Sequence, residues 1–400
     1  MVRRDFIMPD EVYYQYNPWW EEEIGLENTI PRTQYLSRME KLFPEKAIVI
    51  LTGLRRVGKT TLLKLFIKDL IRKGIPTRHI FYISLDDYLL EKKSILDIIA
   101  EYRKIQKLRI DEKIYLFLDE ITYKDQFHRQ LKNLYDQQNV KIYASSSSSS
   151  VLKDKKAFLT GREVVLEVLP LNFEEYCTFR KLEIKKREAY LRESYFEEYL
   201  RTGGMPDYVL TQDREYLTTL IDDVIYKDII AFHGIKNSQG IKDFFALLME
   251  RVGKQVSINK IANILKMSPD TAKRYLQMFE ETYLIYLVPR YGKLNERLLS
   301  PKKNYAADLG IRNLLTGFRD KGALFENYVY LTIKHLEPGY IYQNGIELDF
   351  YTQNKVLIEV KYGGELTNKQ KELFEKTEAK KKLIVENIHD IEGLKALMIE

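Results

Sequence analysis

The chain has 400 residues, a formal net charge of +6 and 45% hydrophobic residues, which excludes a disordered polymer and fits several domains of roughly 100–200 residues each. Its longest apolar runs are strand-sized, well short of the roughly 20 residues a membrane helix needs, so no membrane is expected among its partners. A single cysteine, Cys177, excludes an internal disulfide and a cysteine-based metal site, and residues 1–5 lead into no apolar leader, so a cytoplasmic protein is expected.

Residues 1–30 are acidic and carry Tyr13, Tyr14, Tyr16, Trp19 and Trp20. So short an arm cannot enclose a core and is expected to pack on the next domain. Over 31–165 the pattern predicts strands at 47–52, 80–85, 114–118 and 141–144, with helices at 59–73 and 126–138. Strands alternating with helices predict an α/β fold with a parallel sheet covered on both faces. Six serines at 145–150 follow the last of these strands, as a flexible linker or a ligand-facing loop. Helical stretches at 171–202 and 213–232, separated by Gly203, Gly204 and Pro206, suggest a helical lid or linker over 166–240. Two further units are expected at 241–295 and 296–400, and no repeat of fixed period is present.

Gly53-Leu54-Arg55-Arg56-Val57-Gly58-Lys59-Thr60, followed by Thr61, fits the phosphate-binding pattern G-x-x-x-x-G-K-[ST] between an apolar strand and an amphipathic helix. Glycines let backbone N–H groups turn toward an anion, and the helix N-terminus adds positive potential. Lys59 is expected to reach the β- and γ-phosphates of ATP, and Thr60 to bind Mg²⁺. A second apolar strand ends in Asp119 and Glu120. Asp119 suits Mg²⁺ opposite Thr60, and Glu120 suits a base that orients water; ordinary helix capping is the alternative for this acidic pair.

These residues resemble the archaeal and bacterial AAA-type ATPases that carry a C-terminal nuclease-like domain of the DUF4143 type. Further landmarks are similar: Ser84-Leu85-Asp86-Asp87, Leu159-Thr160-Gly161-Arg162, the stretch from Leu169 to Tyr176, Gly203-Gly204-Met205-Pro206, and Asn17-Pro18-Trp19-Trp20 in the arm. The resemblance implies a nucleotide sensor among the serines after Ala144, with the serine unassigned. It also implies that Arg162 reaches a γ-phosphate, in cis or from a neighbouring subunit of a homo-oligomer; a surface salt bridge is the alternative. Roles for Arg55 and Arg56 stay open.

Residues 258–265 predict one short helix, and Ser268-Pro269-Asp270 opens a second, with Ser268 as N-cap and Pro269 at N1. Ala272, Tyr275, Leu276 and Phe279 form its predicted buried stripe. A strand at 284–288 and Arg290-Tyr291-Gly292 complete the pattern of a winged helix-turn-helix. Thr271, Lys273, Arg274 and Gln277 then face outward, where they suit DNA, although such modules also contact proteins.

Near the C-terminus Glu326 is placed on a helix, Asp349 on a strand, and Glu359 and Lys361 on its hairpin partner. Three carboxylates suit Mg²⁺, and Lys361 suits charge stabilisation at a phosphate. The pattern resembles PD-(D/E)xK nucleases, a restriction-endonuclease-like α/β domain, although the proline expected before Asp349 is absent. An exposed cross-strand ion pair is the alternative for Glu359 and Lys361. The sequence thus suggests a Mg²⁺-dependent ATPase that acts on DNA and is also a metal-dependent endonuclease. Its alternatives are a non-nucleolytic ATPase switch and an ATP-responsive transcription regulator.

Overall fold

The computed structural model describes residues 10–396 except 24, 27, 28, 150–158, 160 and 236. Ser150, Thr160 and the first nine residues of the arm therefore lie outside the described residues. The chain divides into two compact units, one ending at Val168 and one starting at Leu169.

In the first unit the strands β1 (Ile48–Thr52), β2 (Ile80–Ser84), β3 (Ile114–Asp119), β4 (Val140–Ser146) and β5 (Glu163–Glu167) form one parallel sheet in the order β2-β3-β4-β1-β5. Strands buried on both faces need continuous apolar runs, and Ile48-Val49-Ile50-Leu51 is fully buried. Alternate side chains serve alternate faces. Phe66 of the helix Lys59–Arg72 packs on Phe117 and Tyr143. Ile50, Phe81, Leu116 and Ile142 share the opposite core with Ile98, Tyr102, Leu131 and Leu134. Those last four come from the helices Ile95–Ile105 and Phe127–Gln137. The first of these helices has no counterpart in the sequence reading, although Ser94 and Asp97 form a capping box at its start.

The edge strand β2 is covered by the aromatic arm. Asn17 donates to the Tyr82 carbonyl at 2.9 Å and accepts from the Tyr82 N–H at 2.7 Å, as a neighbouring strand would. The indole N–H groups of Trp19 and Trp20 both donate to the Ile80 carbonyl, and Trp20 stacks on Phe81 and Tyr102. An open strand edge is an aggregation hazard, and one buried amide with two indoles closes this one.

The second unit opens with helices. The stretch read as one helix over 171–202 is two, Phe173–Phe179 and Leu191–Thr202. Arg214–Asp223 runs on as a π-helix, Val224–Ala231. The Gly203-Gly204 pair marks a close backbone approach. A Cβ on Gly204 would lie 2.2 Å from the Leu171 carbonyl oxygen, and one on Gly203 would lie 2.3 Å from the Gly310 nitrogen. The buried Asp308 carboxylate fixes this crossing by accepting from Gly204 N–H at 2.6 Å and Ile311 N–H at 2.9 Å.

Helices Ile258–Ile264 and Pro269–Glu281 form the expected helix-turn-helix, and Ser268 caps the second by accepting from Thr271 N–H at 3.1 Å. Its buried stripe is Ala272, Tyr275, Met278 and Phe279; Leu276 is only half-buried, a correction of one position in the periodicity. The strand that follows, β6 (Ile285–Val288), pairs antiparallel with β7 (Lys303–Ala306). Arg290-Tyr291-Gly292, read as completing the winged pattern, is tied to Tyr340, whose carbonyl accepts from Tyr291 N–H at 2.7 Å. Backbone pairing with a distant strand keeps that turn from projecting freely.

A four-stranded sheet in the order β11-β10-β9-β8 closes the unit, from β8 (Gly339–Gln343), β9 (Ile346–Tyr351), β10 (Val356–Val360) and β11 (Lys381–Val385). The hairpin of β9 and β10 is the predicted one, with Ile358 opposite Phe350. Residues 169–400, which the sequence divides at 240 and 295, cluster together: Phe196 and Tyr199 pack their rings on Tyr328. Gly204→Ala is expected to cost about 3 kcal/mol, because backbone must move to admit the methyl. Gly322→Ala, on the first turn of the helix Lys321–Ile333 with no atom closer than 3.9 Å to the added methyl, should not destabilise, because alanine favours a helix over glycine by about 1 kcal/mol. Urea melts of both variants check this; equal losses would mean the Leu171 approach yields easily.

Candidate nucleotide-binding site and a second charged centre

Parallel strands deliver their carboxyl ends to one edge, and the residues expected at a nucleotide meet there. The two loop glycines serve different needs. Gly53 has φ +133°, and a Cβ on it would lie 2.2 Å from the Val168 carbonyl oxygen. Gly58 has open space around it but a left-handed φ of +96°, which lets the loop turn into the helix Lys59–Arg72. Leu54 and Val57 are buried and anchor the loop, while Arg55 is half-buried and Arg56 exposed. Arg55 donates to the Tyr123 hydroxyl at 3.0 Å, and Arg32 donates to the Val57 carbonyl at 3.0 Å. The buried Lys59 ammonium donates to the carbonyls of Gly53 and Leu54 at 2.9 and 3.0 Å. Thr60 and Thr61 are exposed on the first turn.

Asp119 is the hub. Its Oδ2 accepts from the Thr60 hydroxyl at 2.6 Å and the Tyr82 hydroxyl at 2.8 Å, and its Oδ1 accepts from the Ser145 hydroxyl. Burial, then the Asp119 charge, pushes the Tyr82 hydroxyl well above the usual tyrosine range, so it stays a donor. Glu120 follows with φ +53°, a left-handed backbone for a side chain other than glycine. Its N–H donates to Ser145 Oγ at 3.0 Å. Its carboxylate accepts from both the hydroxyl and the N–H of Ser147. The serine tract thereby resolves into separate contacts: Ser145 on Asp119, Ser147 on Glu120, and Ser146 bonded to Ser148. No pattern in a run of identical residues distinguishes them; only the register of β4 does.

Arg162 is elsewhere. Its carbonyl accepts from Ile48 N–H at the start of β1, the end opposite the phosphate loop, and its guanidinium pairs with Asp136 at 3.1 Å. Four residue steps separate the two ends of β1, on the order of 13 Å, which places Arg162 away from the loop of its own chain.

On the helix Pro269–Glu281, Lys273, Arg274 and Gln277 are exposed as expected, and Gln277 donates to Glu281 at 2.9 Å. Thr271 is half-buried, with its hydroxyl 2.9 Å from that of Ser268.

The C-terminal candidates also come together, but not as expected. Asp349 and Glu359 are buried side by side: Asp349 N–H donates to Glu359 Oε2 at 3.0 Å, and Lys361 lies 2.9 Å from Glu359 Oε1. Glu326, on the helix Lys321–Ile333, accepts from the Tyr305 hydroxyl at 2.7 Å. Between them lies a residue that the sequence reading missed, Lys303 of β7. Its fully buried ammonium sits 2.7 Å from Glu326, 2.9 Å from Glu347 and 3.2 Å from Asp349. Burial alone would lower its pKa, but the fields of Glu326, Tyr305, Asp349 and Glu347 outweigh this and hold it well above the ordinary lysine value. Burial, then Asp349, pushes Glu326 up, and the same causes raise Glu359. Of the expected Mg²⁺ ligands, Glu326 and Asp349 face the Lys303 ammonium, and Glu359 faces Lys361. Among the described residues no three His, Cys, Asp or Glu side chains converge to hold a metal ion. The signal was weak but present, since Lys303 and Tyr305 alternate onto one face of a short strand.

By contrast, the first site fits Mg²⁺ and a nucleotide, with Thr60 and Asp119 oxygens 2.6 Å apart beside a helix N-terminus. Among the described residues no helix is long and apolar enough to cross a membrane.

Residues 45–177 match the AAA domain family, and residues 193–322 match a domain of unknown function, DUF8612. The Walker-type ATPase PABY2304 of Pyrococcus abyssi has a solved structure that is similar at 14% identity, over 73% of this chain and 97% of that one, with a TM-score of 0.47. A Haemophilus influenzae uncharacterized protein is 27% identical over 327 residues, covering 78% of this chain and 80% of the relative. The uncharacterized protein MJ1544 of Methanocaldococcus jannaschii is 32% identical over 372 residues, covering 87% of this chain and 82% of the relative. An AAA domain at 45–177 and a likeness of this extent place the chain in the same family as MJ1544.

Proposed function

We propose that the protein binds and hydrolyses ATP and that its nucleotide state governs contact with DNA. The carrying observation is the single network that joins Thr60, Asp119, Glu120, Ser145 and Ser147 at the carboxyl edge of the sheet. In this reading the loop from Gly53 to Thr61 wraps the phosphates and Lys59 moves its ammonium from loop carbonyls to the β- and γ-phosphates. Thr60 and Asp119 would hold Mg²⁺, which when bound would supply neutralisation of the phosphate charge. Glu120 orients the attacking water and takes its proton, and Ser147 holds that carboxylate at the right angle. Because Arg162 lies at the far end of β1, its role at a γ-phosphate requires a neighbouring subunit of a homo-oligomer. Arg55 and Arg56 are left without an assigned contact to nucleotide.

DNA is the proposed partner of the second unit, through the helix Pro269–Glu281 with the exposed Lys273, Arg274 and Gln277. The helix-turn-helix and the strand β6 after it support a winged-helix relationship. The pairing of β9 and β10, with Asp349, Glu359 and Lys361, supports descent from the PD-(D/E)xK fold. Of the readings the sequence leaves open, the non-nucleolytic ATPase acting on DNA is favoured, because Lys303 stands among the carboxylates that cleavage would need.

Lys59→Ala is expected to weaken nucleotide binding by about 100-fold or more, measured by calorimetry. Glu120→Gln should bind ATP normally and lower kcat about 100- to 1,000-fold. Ser147→Ala should lower kcat about tenfold with KM unchanged, as a positioning loss would. If Glu120→Gln lost affinity in step with turnover, the base assignment would be wrong.

For DNA, Lys273→Ala with Arg274→Ala should reduce the log–log salt slope of binding by about two, one for each lost phosphate contact. Fluorescence anisotropy across a salt series reads this. An unchanged slope would assign this helix to a protein partner.

A further inference from the structure

The four carboxylates of the buried charged centre are already served by protein donors. Asp349 Oδ1 faces Lys303, and its Oδ2 accepts from Val360 N–H at 3.0 Å. Glu359 Oε2 accepts from Asp349 N–H, and its Oε1 lies on Lys361 and Gln370. Glu347 Oε1 faces Lys303, and its Oε2 accepts from Gln255 at 2.7 Å. Glu326 Oε1 takes both Lys303 and Tyr305. Seven of the eight carboxylate oxygens thus have a donor.

Lys303 is not a passing neighbour. It lies on β7, whose Asn304 to Ala306 backbone is fixed from several sides. Asn304 O accepts from Gly253 N–H, Asn304 N–H donates to Lys254 O, and Ala306 pairs through both backbone groups with the Asn327 side chain. A strand pinned in this way fixes where the Lys303 side chain starts, and its ammonium is enclosed. A small divalent cation demands several unengaged oxygens close together, and here it would also face a buried ammonium at contact distance.

We propose that Lys303 is the resident cation of this centre, which excludes divalent metal and leaves the nuclease-like segment without the ion that cleavage needs. The consequence is reciprocal: removing the ammonium should open Glu347 and Asp349, which it bridges, to a divalent cation.

The test uses the full chain without nucleotide or DNA, so its outcome is separate from that of the ATP and DNA readings. Electron paramagnetic resonance counts Mn²⁺ bound by wild type, Asp349→Asn, Lys303→Met and the double variant Lys303→Met/Asp349→Asn. Wild type and Asp349→Asn should be indistinguishable, with no Asp349-dependent Mn²⁺ uptake below about 1 mM. Lys303→Met should take up one Mn²⁺ at least tenfold more tightly, and adding Asp349→Asn should abolish the gain. Should Lys303→Met fail to fold, as judged by circular dichroism, Lys303→Met/Glu326→Gln removes one negative charge with the lysine and serves in its place. Wild type that binds one Mn²⁺, with the binding lost in Asp349→Asn, overturns the proposal; so does a folded lysine variant without gain. If no lysine variant folds, the comparison of wild type with Asp349→Asn decides alone.

Discussion

Everything at the nucleotide edge depends on β1 lying parallel between β4 and β5. The register sets Thr52 beside Ser146 and, two strands away, Ser84 beside Asp119. Because all five strands point the same way, each one's last residue arrives at the same edge. The loop at 53–58, the acidic pair and the serines therefore meet without any specific attraction between them. The same rule sends Arg162 away, since the residue that precedes β5 must lie at the opposite edge. One orientation rule thus assembles the site and excludes one of its expected members.

Two buried asparagines solve the same problem in different units. Asn17 pairs with both backbone groups of Tyr82, and Asn327 pairs with both backbone groups of Ala306. A carboxamide presents one acceptor and two donors in a plane, so it can stand in for the next strand's peptide group. An unpaired buried backbone group costs about 1–3 kcal/mol, so each amide offsets a loss that packing alone would leave. The arm at 10–20 is therefore part of the sheet's edge and not an appendage. Its aromatic residues and Asn17 were visible in the sequence; the strand edge that they close was not.

Much of the first unit was legible because its signals are local. A phosphate-loop motif requires a strand before it and a helix after it, and apolar runs of five or six residues mark buried strands. The edge strand β5, Glu163-Val-Val-Leu-Glu, was not recognised because two of its five residues are charged, as an outer position permits. In the second unit the hairpin carrying Asp349 and Glu359 was legible from alternation, and the helix carrying Lys273 from its cap. Lys303 was not, for a physical reason. Its burial depends on carboxylates 23, 44 and 46 residues away, and a lone lysine at the head of a four-residue strand looks like an exposed end. Sequence periodicity reports which face a residue occupies; it does not report which charges arrive to pay for putting a cation there.

The two aspartate centres differ in the donors that meet them. Asp119 is met by hydroxyls, from Thr60, Tyr82 and Ser145. A hydroxyl can rotate its proton away and offer a lone pair instead, so such a carboxylate can exchange a donor for a cation with little rearrangement. Asp349 is met by an ammonium and a backbone N–H. Neither has a lone pair to offer, and breaking a buried ion pair leaves an uncompensated charge that costs about 3–5 kcal/mol. The identity of the donors, not the presence of the carboxylate, sets what each aspartate can bind. The Thr60 side is built to change partners, whereas the Lys303 side is built to keep them.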